Sequence, residues 1–186
     1  IFDEDSSEWR PDFLLLSVDK DFEDELKIKA TVIECKTAKL AGKDGHVEKA
    51  IGQVKHGIDV LSGIFDPNSI SLKRRYWYAQ LYRALTFAQI SFNNASLEVK
   101  DLSNKLRRIL DGNFKIEWNG MILGYWLDMD GNDEISKNIN DYIVLFNIPQ
   151  KRIQKLILGS SDNVTYADIP EDFLSDQDEY LTIVAN

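Results

Sequence analysis

Two carboxylates and a lysine are the residues whose types and spacing suit chemistry. Asp12 follows Pro11 at the head of an apolar run, and Glu34 and Lys36 stand two apart in a β-branched stretch. Two converging carboxylates suit a hard divalent ion, which keeps several waters and takes phosphate oxygens as further ligands. Such an ion lowers the pKa of a bound water and stabilises charge on a phosphate under attack. A lysine beside it orients the attacking hydroxide and stabilises the charge that develops. The backbone carbonyl of Cys35 is a natural extra ligand. Mg²⁺ or Mn²⁺ is therefore the expected cofactor, held by Asp12, Glu34 and that carbonyl. Two histidines and one cysteine are too few for a typical zinc site.

These residues need a sheet to bring them together. Residues 13–18 read as a short buried strand, and a charged connection over 19–25 leads into a second strand over 27–36. In that second strand the two-residue period puts Ile28, Ala30, Val32, Glu34 and Lys36 on one face. A short link predicts an antiparallel pair, with Asp12 and Glu34 converging at one end. Val47, Ile51, Val54, Ile58, Leu61 and Phe65 then recur at spacings of four and three, predicting an amphipathic helix over 47–65. A second helix is expected over 72–87, which 88–92 continue or follow as a strand, and a polar helix over 97–110. Asn119-Gly120 between apolar runs predicts a hairpin of 114–118 with 121–127. A turn over 128–132, a strand over 142–148 and a helix from Pro149 to 158 complete the pattern, and the acidic tail shows little periodicity.

Pro11-Asp12, then Glu34-Cys35-Lys36, then an amphipathic helix resembles the PD-(D/E)XK nuclease superfamily. That superfamily includes many restriction endonucleases, RecB-type nucleases and Holliday-junction resolvases. The resemblance spans about residues 8–65. It implies an α/β, restriction-endonuclease-like core, with a mixed β-sheet flanked by helices and C-terminal α+β elements added. It further implies a divalent-metal-dependent DNA endonuclease, with Asp12, Glu34, Lys36 and Gln53 as catalytic residues. Gln53 stands where RecB-like members carry a glutamine on the helix after the hairpin, at the edge of the apolar arc. The family's first helix, which often carries another acidic residue, would precede Pro11: either it lies upstream in a parent chain, or Glu4 or Glu8 substitutes, or the site is incomplete. The C-terminal part is similar in texture to nuclease domains fused to DNA-translocating ATPases in bacterial restriction systems. A catalytically inactive nuclease-like module that binds DNA or protein is the alternative.

Other residues have plainer readings beside functional ones. Arg74, Arg75 and Arg83 lie among Tyr76, Trp77 and Tyr78, a mixture that contacts a phosphate backbone and stacks on bases, or else a core helix with a solvated basic face. Asp128-Met129-Asp130-Gly131-Asn132 resembles the start of an EF-hand loop. The match fails at Asp133 and at Ile139, where the bidentate glutamate belongs, which leaves a turn. Glu34 with Lys36 is alternatively a structural ion pair. Cys35 reads as a core cysteine, and His46 and His56 as surface residues.

The chain carries 31 acidic and 22 basic residues, a net charge of −9, which argues against indiscriminate nucleic-acid binding. DNA contact would then rest on a local basic surface, on self-association as a homo-oligomer, or on other domains. The non-Met start, Ile1, suggests a longer parent chain carrying such domains. The lone cysteine makes the cytoplasm the expected compartment, and no apolar run is long enough for a membrane span. Gly112 is the expected boundary between a nuclease-like core, 1–111, and a C-terminal extension, 112–186.

Overall fold

A computed structural model describes residues 10–19, 26–68, 72–91, 104–132, 135–158 and 180–185. It is α/β. Six strands, β1 (Phe13–Asp19), β2 (Leu26–Ala38), β3 (Phe114–Trp126), β4 (Ile135–Asn140), β5 (Ile143–Pro149) and β6 (Tyr180–Ala185), form one sheet in the order β4-β5-β3-β2-β1-β6. The sheet is mixed, since β3 and β5 run parallel while β4–β5 and β1–β6 are antiparallel. The link from β1 to β2 is too short for a crossover, so these neighbours are antiparallel as expected. Three helices, α1 (Lys43–Ile64), α2 (Arg74–Ser91) and α3 (Gln150–Leu158), accompany the strands. The chain divides into two compact units, and β2, β3 and α1 each contribute to both.

The first unit comprises Val32–Gly57 and Asn119–Asp176 together with the segment ending at Asp12. Ala50 and Val54 of α1 are buried in it, as are Met121, Ile122, Ile143 and Leu145 of the sheet. Glycines set how closely the helix approaches. A Cβ on Gly120 would lie 2.4 Å from Val54 Cγ1 and 3.0 Å from Ile143 Cγ1. Asn119-Gly120 is therefore not a hairpin turn: β3 runs straight through it, and the Gly120 amide donates to Tyr142 O at 2.6 Å. The glycine serves helix–sheet contact rather than reversal of the chain. Trp126 is fully buried, with Nε1 donating to Asn147 Oδ1 at 2.9 Å, and Asn147 Nδ2 donates to Ile135 O at 3.1 Å. That last bond ties down β4, a strand absent from the expected pattern. Its sequence, ISKNIN, is polar and mostly exposed, as suits an edge that must not pair with other chains.

The second unit comprises Phe13–Thr31, Ile58–Trp118 and Gln177–Asn186. Leu81 and Leu85 of α2, Leu61 and Phe65 beyond mid-α1, and Leu106, Ile109 and Phe114 are buried in it. The Tyr78 ring meets Phe114 edge-on at 5.0 Å, and its hydroxyl donates to Asp66 O at 3.2 Å. α2 extends to Ser91, so 88–91 continue the helix. The expected polar helix is seen at its end: residues 104–106 are helical and Arg107–Ile109 tighten into a 3-10 turn, while 97–103 lie outside the described residues. Gly112 closes this turn at φ 75°, donating to Ile109 O at 3.1 Å, a left-handed conformation that favours glycine. In the tail, β6 pairs with β1 from Leu14↔Ala185 to Asp19↔Tyr180.

Candidate active site

The site is built where β2 passes beneath α1 in the first unit. Asp12 sits immediately before β1, and its amide donates to Ile33 O at 3.1 Å. Its carboxylate turns back on the same strand, with Oδ2 accepting from the Cys35 amide at 2.8 Å. Two hydrogen bonds thus fix Asp12 to the residues that flank Glu34. The helix fixes it from above: a Cβ on Gly57 would be 3.1 Å from Pro11 Cγ and 3.1 Å from Val32 Cγ1. The absence of a side chain at Gly57 lets α1 press Pro11 down next to Asp12.

One helical turn before Gly57, Gln53 lies over the next residues of the same strand face. Lys36 Nζ donates to Gln53 Oε1 at 2.7 Å and also to Glu34 Oε1. Gln53 is 6% exposed and Glu34 only 2%. The alternation of β2 explains the pairing, because Val32, Glu34 and Lys36 share one face and Gln53 and Gly57 share one stripe of α1. The structural ion pair between Glu34 and Lys36 is therefore present. It satisfies half of the carboxylate: Glu34 Oε2 is buried with no hydrogen-bond partner.

Burial raises the Glu34 pKa above its usual carboxylate value. The ammonium of Lys36 opposes that shift, and the neighbouring charge of Asp12 adds to it. Asp12 and Glu34 are thus close enough to feel each other. Burial, assisted by the charges of Asp12 and Glu34, pushes the Cys35 thiol up to about 11. It is protonated at neutral pH and unsuited to nucleophilic attack. Among the described residues, no group of three or more histidine, cysteine, aspartate or glutamate side chains gathers around one point. An ion here would be held by two carboxylates, the Cys35 carbonyl and ligands from solvent or substrate.

Asp12, Glu34, Cys35, Lys36 and Gln53 are therefore brought together. Glu4 and Glu8 lie outside the described residues. Arg74, Arg75 and Arg83 belong to the second unit. Arg74 and Arg75 border a recess with Tyr78, Leu110 and Asp111. Arg83 is exposed on another face of α2, in the stripe of Tyr76 and Phe87. Asp128 is occupied as a cap, its Oδ1 accepting from the Leu40 amide at 2.7 Å where a 3-10 turn begins. Arg107 and Arg108 belong to no motif, although two adjacent arginines beside Lys105 in an acidic chain are a readable signal. No described helix is long and apolar enough to cross a membrane. The chain matches no protein-family model, no curated protein and no solved structure.

Proposed function

We propose that this chain is a divalent-metal-dependent nuclease domain with a PD-(D/E)XK, restriction-endonuclease-like core, hydrolysing DNA phosphodiesters. The observation that carries the reading is Glu34: a carboxylate 2% exposed, with one oxygen on Lys36 and the other without a partner. Burying a carboxylate costs free energy unless it is paired and hydrogen-bonded, so an orphaned oxygen beside a second carboxylate suits a cation. A role in stability alone explains less, because a buried ion pair often contributes no more than well-packed apolar side chains would.

Mg²⁺ or Mn²⁺ fits this donor set, with Asp12, Glu34 and the Cys35 carbonyl as ligands. The ion supplies a more acidic water and neutralises charge on the phosphate. Lys36 places an ammonium at the same point, where it stabilises negative charge as it develops. Gln53 positions that ammonium through its Oε1. Asp12 is held by the Cys35 amide and by Pro11 beneath Gly57, so little needs to be ordered when an ion enters.

DNA is the proposed partner, reached with help from other domains of a longer cytoplasmic parent chain or from a second copy. The competing reading is an inactive module of the same fold, favoured by the presence of only two acidic side chains at the site among the described residues. Cleavage of a DNA duplex in Mn²⁺ separates the two. The nuclease reading expects cutting by the full chain that stops in EDTA and in Glu34→Ala; no cutting by the wild type in Mn²⁺, with or without a partner domain, rejects it.

A further inference from the structure

The segment that leads away from the metal site is basic. Residues 36–43, Lys-Thr-Ala-Lys-Leu-Ala-Gly-Lys, hold three lysines and no acid, in a chain with 22 basic and 31 acidic residues. Lys36 ends on Glu34 and Gln53. The other two are not neutralised: among the described residues neither Lys39 nor Lys43 pairs with a carboxylate, and Lys39 is exposed. The half-buried Lys43 instead holds its ammonium over the Trp126 ring, 5.4 Å from the centroid. An aromatic face attracts a cation without cancelling its charge. Two acids are close in the chain or the fold. Asp44 follows Lys43 without pairing with it, and Asp128 spends Oδ1 on the Leu40 amide.

The platform under Lys43 is fixed. The Leu127 amide donates to Ala38 O at 2.9 Å, so β2 and β3 end side by side and run parallel. In a parallel ladder that bond sets Ala38 level with Trp126, and therefore Lys36 level with Gly124. The indole folds back over that glycine: a Cβ on Gly124 would lie 2.6 Å from Trp126 Cζ2 and 2.9 Å from Nε1. Gly124 in turn pairs with Asn147, whose Oδ1 accepts from the same indole Nε1 at 2.9 Å. The ring under Lys43 is thus locked one strand away from the position of Lys36. At about 3.3 Å per residue, Lys39 stands roughly 10 Å beyond Lys36 along β2. A nucleic-acid strand carries a phosphate for about every 3.4 Å of axis, so that span matches about three phosphates.

We infer that Lys39 and Lys43 form a phosphate track that holds the nucleic-acid backbone where β2 leaves the metal site. The inference rests on the nuclease reading only for its choice of DNA as the phosphate-bearing partner. The two lysines act as point charges, and the seat on Trp126 keeps the second in place before a phosphate arrives.

The test is binding of a fluorescein-labelled DNA duplex to the full chain in EDTA, followed by anisotropy across a potassium chloride series. Lys39→Gln is combined with Lys43→Gln, and circular dichroism checks that the variant is folded. Affinity should fall about tenfold or more, and the slope of log affinity against log salt should shrink by roughly 2, one for each phosphate that is no longer neutralised. Lys39→Arg with Lys43→Arg should keep most of the slope. Unchanged affinity and slope in the glutamine variant overturn the inference. So does a wild type that binds polyglutamate and not DNA, since the lysines would then serve an acidic protein. Mn²⁺ affinity reports on Asp12 and Glu34, so its absence in the wild type would sink the nuclease reading and leave this track standing.

Discussion

Gly120→Ala tests how the helix is seated over the sheet and, through it, how the site is assembled. The new Cβ would lie 2.4 Å from Val54 Cγ1, 3.0 Å from Ile143 Cγ1 and 3.6 Å from Tyr142 O. Carbon atoms pack at about 3.5–4.0 Å, so the overlap with Val54 exceeds an ångström. Val54 cannot swing away easily, because a β-branched side chain in a helix has one strongly preferred rotamer. Overpacking of this kind costs about 1–3 kcal/mol, and an overlap this large belongs near the top of that range. For a chain of this size, about 2–3 kcal/mol lowers Tm by roughly 4–12 °C. Thermal and urea unfolding followed by circular dichroism measure both. The cause is isolated by adding Val54→Ala, which removes the clashing methyl. The two substitutions should couple favourably by about 1 kcal/mol or more, as contacting residues do. If Gly120→Ala is as stable as the wild type, or if the double mutant is simply additive, the packing argument fails. A turn role for Gly120 would predict that second outcome.

Other consequences follow from the same contacts. Glu34→Gln, measured in EDTA, should be more stable than the wild type at neutral pH. The folded state holds the Glu34 proton above its ordinary 4.5, so wild-type stability falls as pH rises above that value, and the variant escapes the loss; equal pH profiles for the two proteins would contradict this. Lys36→Met leaves Glu34 buried without its cation and should cost about 3–5 kcal/mol at neutral pH, much of it regained in acid. A denaturant series at two pH values decides, and an unchanged midpoint at both would count against the pair. Gly57→Ala gains about 1 kcal/mol of helix propensity but crowds Pro11 and Val32 by a few tenths of an ångström. Its Tm should stay within about 3 °C of wild type while Mn²⁺ affinity falls, because Pro11 carries Asp12; undiminished Mn²⁺ affinity would show that Gly57 does not position the site.

Most of the site is legible in the sequence because it depends on two periodicities. The alternation of β2 places Glu34 and Lys36 on the Val32 face, and the stripe of α1 puts Gln53 one turn from Gly57. What the pattern does not contain is the partner of each atom: that Gln53 holds Lys36, or that Asp12 accepts from the Cys35 amide. The pattern misleads where one residue type answers two needs. Asn119-Gly120 is the strongest short hairpin signal, yet the same glycine is what a closely packed helix requires. β4 gives no signal because an exposed edge strand has no apolar face to alternate, and ISKNIN is polar throughout much of its length. β6 lies in an acidic tail, and its place in the sheet depends on long-range pairing with β1 rather than on local pattern.

The central claim is that Asp12 and Glu34 together hold a divalent ion. Isothermal titration of the full chain with Mn²⁺, run beside Glu34→Ala and Asp12→Asn, tests it without needing a substrate. One ion should bind the wild type, binding should be lost in Glu34→Ala and weakened in Asp12→Asn, and circular dichroism should show all three folded. No Mn²⁺ binding by the wild type, or the same binding in Glu34→Ala, would contradict the account.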